Sequence, residues 1–185
     1  MFLGLVFLAC LISVPLARGR LTNLADLQLR RPWLALAGIG LQVLIISLVP
    51  SGPAGMHEGV HLLSYACFGA FAWANRDVPG VPLIALGGLL NFAAIAANGG
   101  VMPADPELAL HAAREGAGGF VNAGAIDGAR LAFLGDVLAT PRSWPLYNVY
   151  SAGDVTIVLG VLVLLHRVGD SRLLPRRRRP AVLPA

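Results

Sequence analysis

The sequence predicts an all-α fold, a polytopic transmembrane helix bundle of about five spans with a helical and loop cap on the outside. Three observations predict it. The 185 residues are 56% hydrophobic and only 13% charged, where a soluble domain carries about a quarter charged residues, and the mean hydropathy is +0.71. Five apolar stretches approach the roughly 20 residues that a spanning helix needs. The basic residues, all of them arginine, collect beside alternate stretches, as they do when basic loops stay inside.

The stretches follow in order. Residues 2–17, FLGLVFLACLISVPLA, run into Arg18 and Arg20. They lack a basic leader and a small-x-small cleavage site, so we read them as a retained helix rather than a signal peptide. Residues 33–49 open on Trp33 and stop at Pro50. Residues 58–74 hold LLSYACFGAFAWA, residues 81–97 are VPLIALGGLLNFAAIAA, and residues 152–168 hold VTIVLGVLVLLH. Gly38, Gly40, Gly87, Gly88 and Gly160 are expected to let helices pack closely. Cys10 and Cys67 lie in apolar runs and read as packing residues.

Eleven arginines, Arg18, Arg20, Arg30, Arg31, Arg76, Arg167, Arg172 and the run Arg176 to Arg179, fall on one side of this arrangement. Arg114, Arg130 and Arg142 fall on the other. The rule that basic loops stay inside then puts the N terminus outside and the C terminus in the cytoplasm of a bacterial cell membrane. Residues 1–170 form one membrane domain, 98–151 its outside cap, and 171–185 a basic cytoplasmic tail. This placement of charge argues for the lipid bilayer as partner and against nucleic acid, despite the net charge of +4. A membrane-protein partner or a second copy of the chain is also compatible with it.

In the cap, Asp105, Pro106 and Glu107 read as an N-cap, a first-turn proline and an acid at the positive end of a helix. The stretch FVNAGAIDGARLAFLGD reads as mildly helical, with no clean apolar stripe. Two prolines exclude a helix from TPRSWPLYNVYS.

Several residues could carry chemistry. His57, Glu58 and His61 match H-E-x-x-H, which on a helix places two imidazoles on one face for zinc. No third ligand is named by any downstream pattern, so two interfacial histidines are the favoured reading, and we expect no metal or cofactor. Asn91 and Asn98 lie seven apart and share a helix face, where a membrane amide needs a partner or a polar cavity. Gly99 and Gly100 free the backbone after them; a plain helix end with glycine following Asn98 explains the same residues. Asp154 stands three after Ser151, as in a capping box. Asp136 suits a turn. Brought together, Asp136 and Asp154 would share a proton, one acting as base on water and the other as acid.

Three resemblances add to this. NGGVMP (Asn98 to Pro103), RLAFLGD (Arg130 to Asp136) and NVYSAGDV (Asn148 to Val155), in that order, resemble an uncharacterised bacterial membrane family, domain-of-unknown-function family 5317. The resemblance runs from the first stretch to about residue 168, and implies a multi-span membrane protein and no established activity. Residues 135–165 resemble the end of lipoprotein signal peptidase, which implies Asp136 and Asp154 as a catalytic pair. HLLSYACFGAF, with His61 and Tyr65 four apart, is similar to the H-x-x-x-Y helix of the VanZ-like membrane family.

Three functions are therefore expected, in this order. The first is a non-enzymatic membrane subunit or scaffold whose outer loop binds a partner. The second is a membrane-embedded aspartic hydrolase, with Asn98 orienting substrate or water and a cavity between the fourth and fifth stretches. The third is a transporter or small-molecule binder using Asn91, Asn98, Gly99, Gly100, His61 and Tyr65.

Overall fold

The computed structural model describes residues 2–47, 54–108, 110, 123–124, 126–141, 143–144 and 147–175. Five helices dominate it: α1 (Phe2–Leu16), α2 (Pro32–Ser47), α3 (Ala54–Ala74), α4 (Val81–Ala97) and α5 (Ala152–Val168). Their ends follow local chemistry. Pro32 opens α2 and Pro82 sits in the first turn of α4, where a missing N–H costs nothing. Ser151 caps α5. After α4 the chain leaves through Gly99 and Gly100, at φ 66° and 91°, a left-handed backbone that glycine adopts without strain.

The expected transmembrane bundle is not what these helices form. Among the described residues, no helix is long and apolar enough to cross a membrane. The reason is axial length. α1, α2, α4 and α5 have 15, 16, 17 and 17 residues. At about 1.5 Å per residue they reach roughly 22–26 Å, short of the ~30 Å hydrocarbon core. α3 has 21 residues but opens on AGMHEGVH, where glycine, histidine and glutamate dilute the apolar content. Nor is the chain all-α. β1 (Met102–Pro103) pairs in parallel with β2 (Ala123–Gly124), and β3 (Leu138–Ala139) pairs antiparallel with β4 (Val149–Tyr150). The expected helical character of FVNAGAIDGARLAFLGD reduces, among its described residues, to a 3-10 turn at Ala132–Leu134.

Packing rests on glycine at one interface above all. A Cβ on Gly87 would lie 2.5 Å from the Gly153 carbonyl oxygen, and one on Gly160 would lie 2.7 Å from the Ile84 nitrogen. α4 and α5 therefore meet backbone to backbone. Gly38 sits beneath the Phe68 ring and joins α2 to α3, whereas Gly40 and Gly88 face open space. Buried Cys10, Val14 and Leu165 pack α1 along α5. The outward faces stay apolar: Ile12, Leu36, Val43 and Leu89 are all exposed.

The two ends of the bundle differ. At one end the α1–α2 and α3–α4 connections meet the chain leaving α5. The Arg20 N–H donates to the Gly169 carbonyl (2.8 Å) and the Arg172 N–H to that of Ala17 (2.9 Å). At the other end the strand ladders cap α4 and the start of α5.

Candidate functional site

The cap end gathers the polar residues of α3, α4 and α5. Ser151 and Asp154 form the capping box that their spacing predicts: the Asp154 N–H donates to Ser151 Oγ (3.0 Å) and the Ser151 N–H donates to Asp154 Oδ2 (3.0 Å). The spacing did not predict the third member. Asn91 Nδ2 donates to Asp154 Oδ1 (2.9 Å), and Ser151 Oγ donates to Asn91 Oδ1 (2.8 Å). The result is a closed ring that ties α4 to α5, with Ser151 fully buried. Gly153 makes room for it, because a Cβ there would collide with Asn91 Oδ1.

Asp136 arrives from the cap. Its N–H donates to the Pro103 carbonyl (2.8 Å) and its carbonyl accepts from the Asp105 N–H (3.1 Å), making a parallel bridge to Ala104. Gly135 is needed just before it, since a Cβ would collide with the Pro103 oxygen. Burial, and then the negative charge of Asp154, raise the Asp136 carboxyl from 3.8 to about 6. Two acids 18 positions apart in sequence are thus brought within electrostatic reach of each other. Asp105 caps the helical residues after it, accepting from the N–H groups of Glu107 (3.0 Å) and Leu108 (3.1 Å).

His61 and Tyr65 stack edge to face, centroids 5.6 Å apart, and Tyr65 leans on Phe92 at 5.0 Å. Tyr65 also packs on the buried cluster of Ala94, Ile95 and Met102. Burial, then the Asp154 charge, push its phenol above the usual range, and burial lowers the His61 imidazole. These residues line a small cleft with Leu62, Phe92, Ile95 and Gly100. Its volume of about 30 Å³ suits one water. It lies between α3 and α4, not between α4 and α5 as a hydrolase cavity was expected to, because glycine contacts close that interface.

The remaining candidates separate. Asn98 is not joined to Asn91. Its side chain acts on backbone: Nδ2 donates to the Ala94 and Arg130 carbonyls (both 2.7 Å), and Oδ1 accepts from the Arg130 N–H (2.8 Å). Gly99 and Gly100 make the turn beside it. His57 and Glu58 lie in α3, but their side chains fall outside the described residues. Among the described residues no three His, Cys, Asp or Glu side chains converge as a metal would need.

Two polar arrangements had no sequence signal. Asn75 grips the backbone of Arg30, accepting its N–H (2.7 Å) and donating to its carbonyl (2.9 Å). Buried His166 joins α1 to the chain after α5. Ser13 Oγ donates to the Cys10 carbonyl, so His166 Nε2 (3.0 Å away) serves as donor to Ser13, while Nδ1 lies 2.7 Å from Ser171 Oγ. Ser171 is fully buried, so this group is structural.

No curated protein and no solved structure matches the chain. One family model does, over residues 26–166, a span that takes in Asn91, Asp136, Ser151 and Asp154. The chain therefore belongs to the family of unknown function DUF5317.

Proposed function

We propose that the protein is an aspartic-type hydrolase working against lipid, with Asp136 and Asp154 as the reacting pair. The observation that carries this reading is the half-buried Asp136 held within electrostatic reach of Asp154: burial first, and the Asp154 charge second, raise the Asp136 carboxyl to about 6, where a group exchanges protons readily close to neutral pH. Asp154 accepts hydrogen bonds on both oxygens and is held rigidly by Asn91 and Ser151. In this scheme Asp154 takes a proton from water. The water oxygen attacks an amide or ester carbonyl, and Asp136 gives its proton to the oxygen or leaving group that gains charge. The resemblance of residues 135–165 to lipoprotein signal peptidase supports the same two roles. The exposed apolar helix faces support lipid acyl chains as their cover, and the arginines gathered at one end support the surface of a bacterial cell membrane as the place of work.

A small aryl-ether epoxide tests the pair without knowledge of the substrate. The Asp154 carboxylate oxygen attacks an epoxide carbon, the ring C–O bond opens, and the oxygen released takes the Asp136 proton. Peptide mapping is expected to find an ester on Asp154 that forms more slowly as pH rises above about 6 and is absent in Asp136→Asn. Labelling of Asp154 that is indifferent to pH and to Asp136→Asn would refute the pair.

A non-enzymatic subunit is the second reading. It is favoured by the internal pairing of Asn75, Asn91, Asn98 and His166, which leaves a stable frame with little room for a ligand. The same labelling experiment separates the two.

A further inference from the structure

The basic end of the bundle is built, not merely charged. Arg18, Arg20, Arg30, Arg31, Arg76 and Arg172 all belong to the connections that meet there. The backbones of Arg20, Arg30 and Arg172 are fixed by long-range contacts. Asn75 grips Arg30 from across the α3–α4 connection, which sets Arg30 and Arg31 beside Arg76. The pairs Arg20–Gly169 and Arg172–Ala17 set the other arginines around the end of α5. The cap end has the opposite balance. Its described charges are Asp105, Glu107, Asp127, Asp136 and Asp154 against Arg130.

Two tryptophans mark the border between this basic end and the apolar faces. Trp33 is 61% and Trp73 72% exposed. The Arg76 guanidinium lies 4.7 Å from the centre of the Trp73 ring and donates to the Trp73 carbonyl (3.0 Å). An exposed indole below a guanidinium fits one kind of surface well: acyl chains at the indole and phosphate oxygens at the guanidinium. A soluble acidic protein would meet the arginines but leave the tryptophans and the apolar faces beneath them in water.

We infer that the surface formed by Arg30, Arg31 and Arg76 with Trp33 and Trp73 binds the phosphate headgroups of anionic phospholipids. The inference rests on the reading that lipid covers the apolar faces, and names the lipid class and the residues that select it. Each engaged arginine favours an anionic over a zwitterionic lipid by about fivefold.

The experiment uses the full chain reconstituted in mixed phosphatidylcholine and phosphatidylglycerol vesicles, with bromine on the acyl chains of one lipid at a time. Trp144 lies in the cap, so Trp144→Phe leaves Trp33 and Trp73 as reporters. Brominated phosphatidylglycerol is expected to quench them with an apparent association at least about fivefold above that of brominated phosphatidylcholine. The preference is expected to collapse in ~1 M salt and in Arg30→Gln/Arg31→Gln/Arg76→Gln. These side chains do not make the Asn75 grip, which uses the Arg30 backbone. Equal quenching by the two lipids overturns the headgroup inference alone. A preference that survives both the salt and the triple substitution overturns the assignment to these residues. Absence of quenching by either lipid overturns the lipid reading itself.

Discussion

Replacing Asp136 with asparagine is expected to stabilise the protein at neutral pH while removing its proposed chemistry. The Asp136 carboxyl is raised from 3.8 to about 6, by burial first and by the Asp154 charge second. A raised acid disfavours the folded state once it must ionise. Below about pH 4 both folded and unfolded chains hold the proton, and the group contributes nothing. Between about pH 4 and pH 6 the folded chain keeps a proton that the unfolded chain has released, so stability falls as pH rises through that window and is level above it. The full displacement corresponds to roughly 3 kcal/mol. The carboxyl is only partly buried, and solvent screening reduces this to about 1–2 kcal/mol. Asparagine keeps the shape of the protonated acid and never ionises. Denaturant unfolding in a mild detergent, followed by tryptophan fluorescence at several pH values, reads the difference. Asp136→Asn and the native chain should match near pH 4, and the variant should lead by about 1–2 kcal/mol at pH 7. A variant less stable at pH 7, or a gap that does not change with pH, refutes the raised Asp136 carboxyl and the burial that is its first cause.

Two further outcomes are expected. Asp154→Asn removes the second cause of the Asp136 shift and leaves burial, so the Asp136 carboxyl should titrate below about 6 yet above 3.8, as read by carboxyl-carbon NMR; an unchanged midpoint would separate the two acids. Gly87→Ala puts a methyl 2.5 Å from the Gly153 oxygen and 2.7 Å from Ile157 Cγ1 and should cost about 1–3 kcal/mol. Gly88→Ala, facing open space, should gain up to about 1 kcal/mol from helix propensity; the two values together, from thermal unfolding, test the α4–α5 contact.

The helices were legible because their ends are punctuated. The expected ranges 81–97 and 152–168 coincide with α4 and α5, where Gly80, Asn98 and Ser151 stop or start the chain by known local chemistry. α3 begins earlier than expected, at Ala54, because AGMHEG is polar by hydropathy yet helical in backbone. The membrane-spanning expectation failed for a related reason. Hydropathy counts apolar residues but not axial rise, and stretches of 16 or 17 residues stop short of ~30 Å. The strands left no signal, since two residues are a single period of a pleated pattern. Nor could spacing show that Asp136 comes within electrostatic reach of Asp154. That approach depends on the return of the chain at Pro103 and Gly135, two positions whose contact only folding creates.

The asparagines show what distinguishes a site from a frame in this molecule. Asn75 and Asn98 each face a distant arginine and bond both its N–H and its carbonyl. Each amide thus imitates a strand neighbour, pairing the backbone N–H and carbonyl of a residue in a distant connection. Any shape-matched amide would do this, and no charge is involved. Asn91 has the same side chain and a comparable place near the end of an apolar helix, but its two bonds go to side chains, one of them a carboxylate. Orienting Asp154 in this way fixes where its negative charge lies relative to Asp136, and that charge is the second cause of the raised Asp136 carboxyl. A frame needs only that polar atoms be satisfied. Asn91 does more, since it fixes the position of a charge that alters the proton affinity of a group on another segment. It is this coupling, rather than the presence of a polar residue in an apolar helix, that singles out the cap end as the place where chemistry is expected.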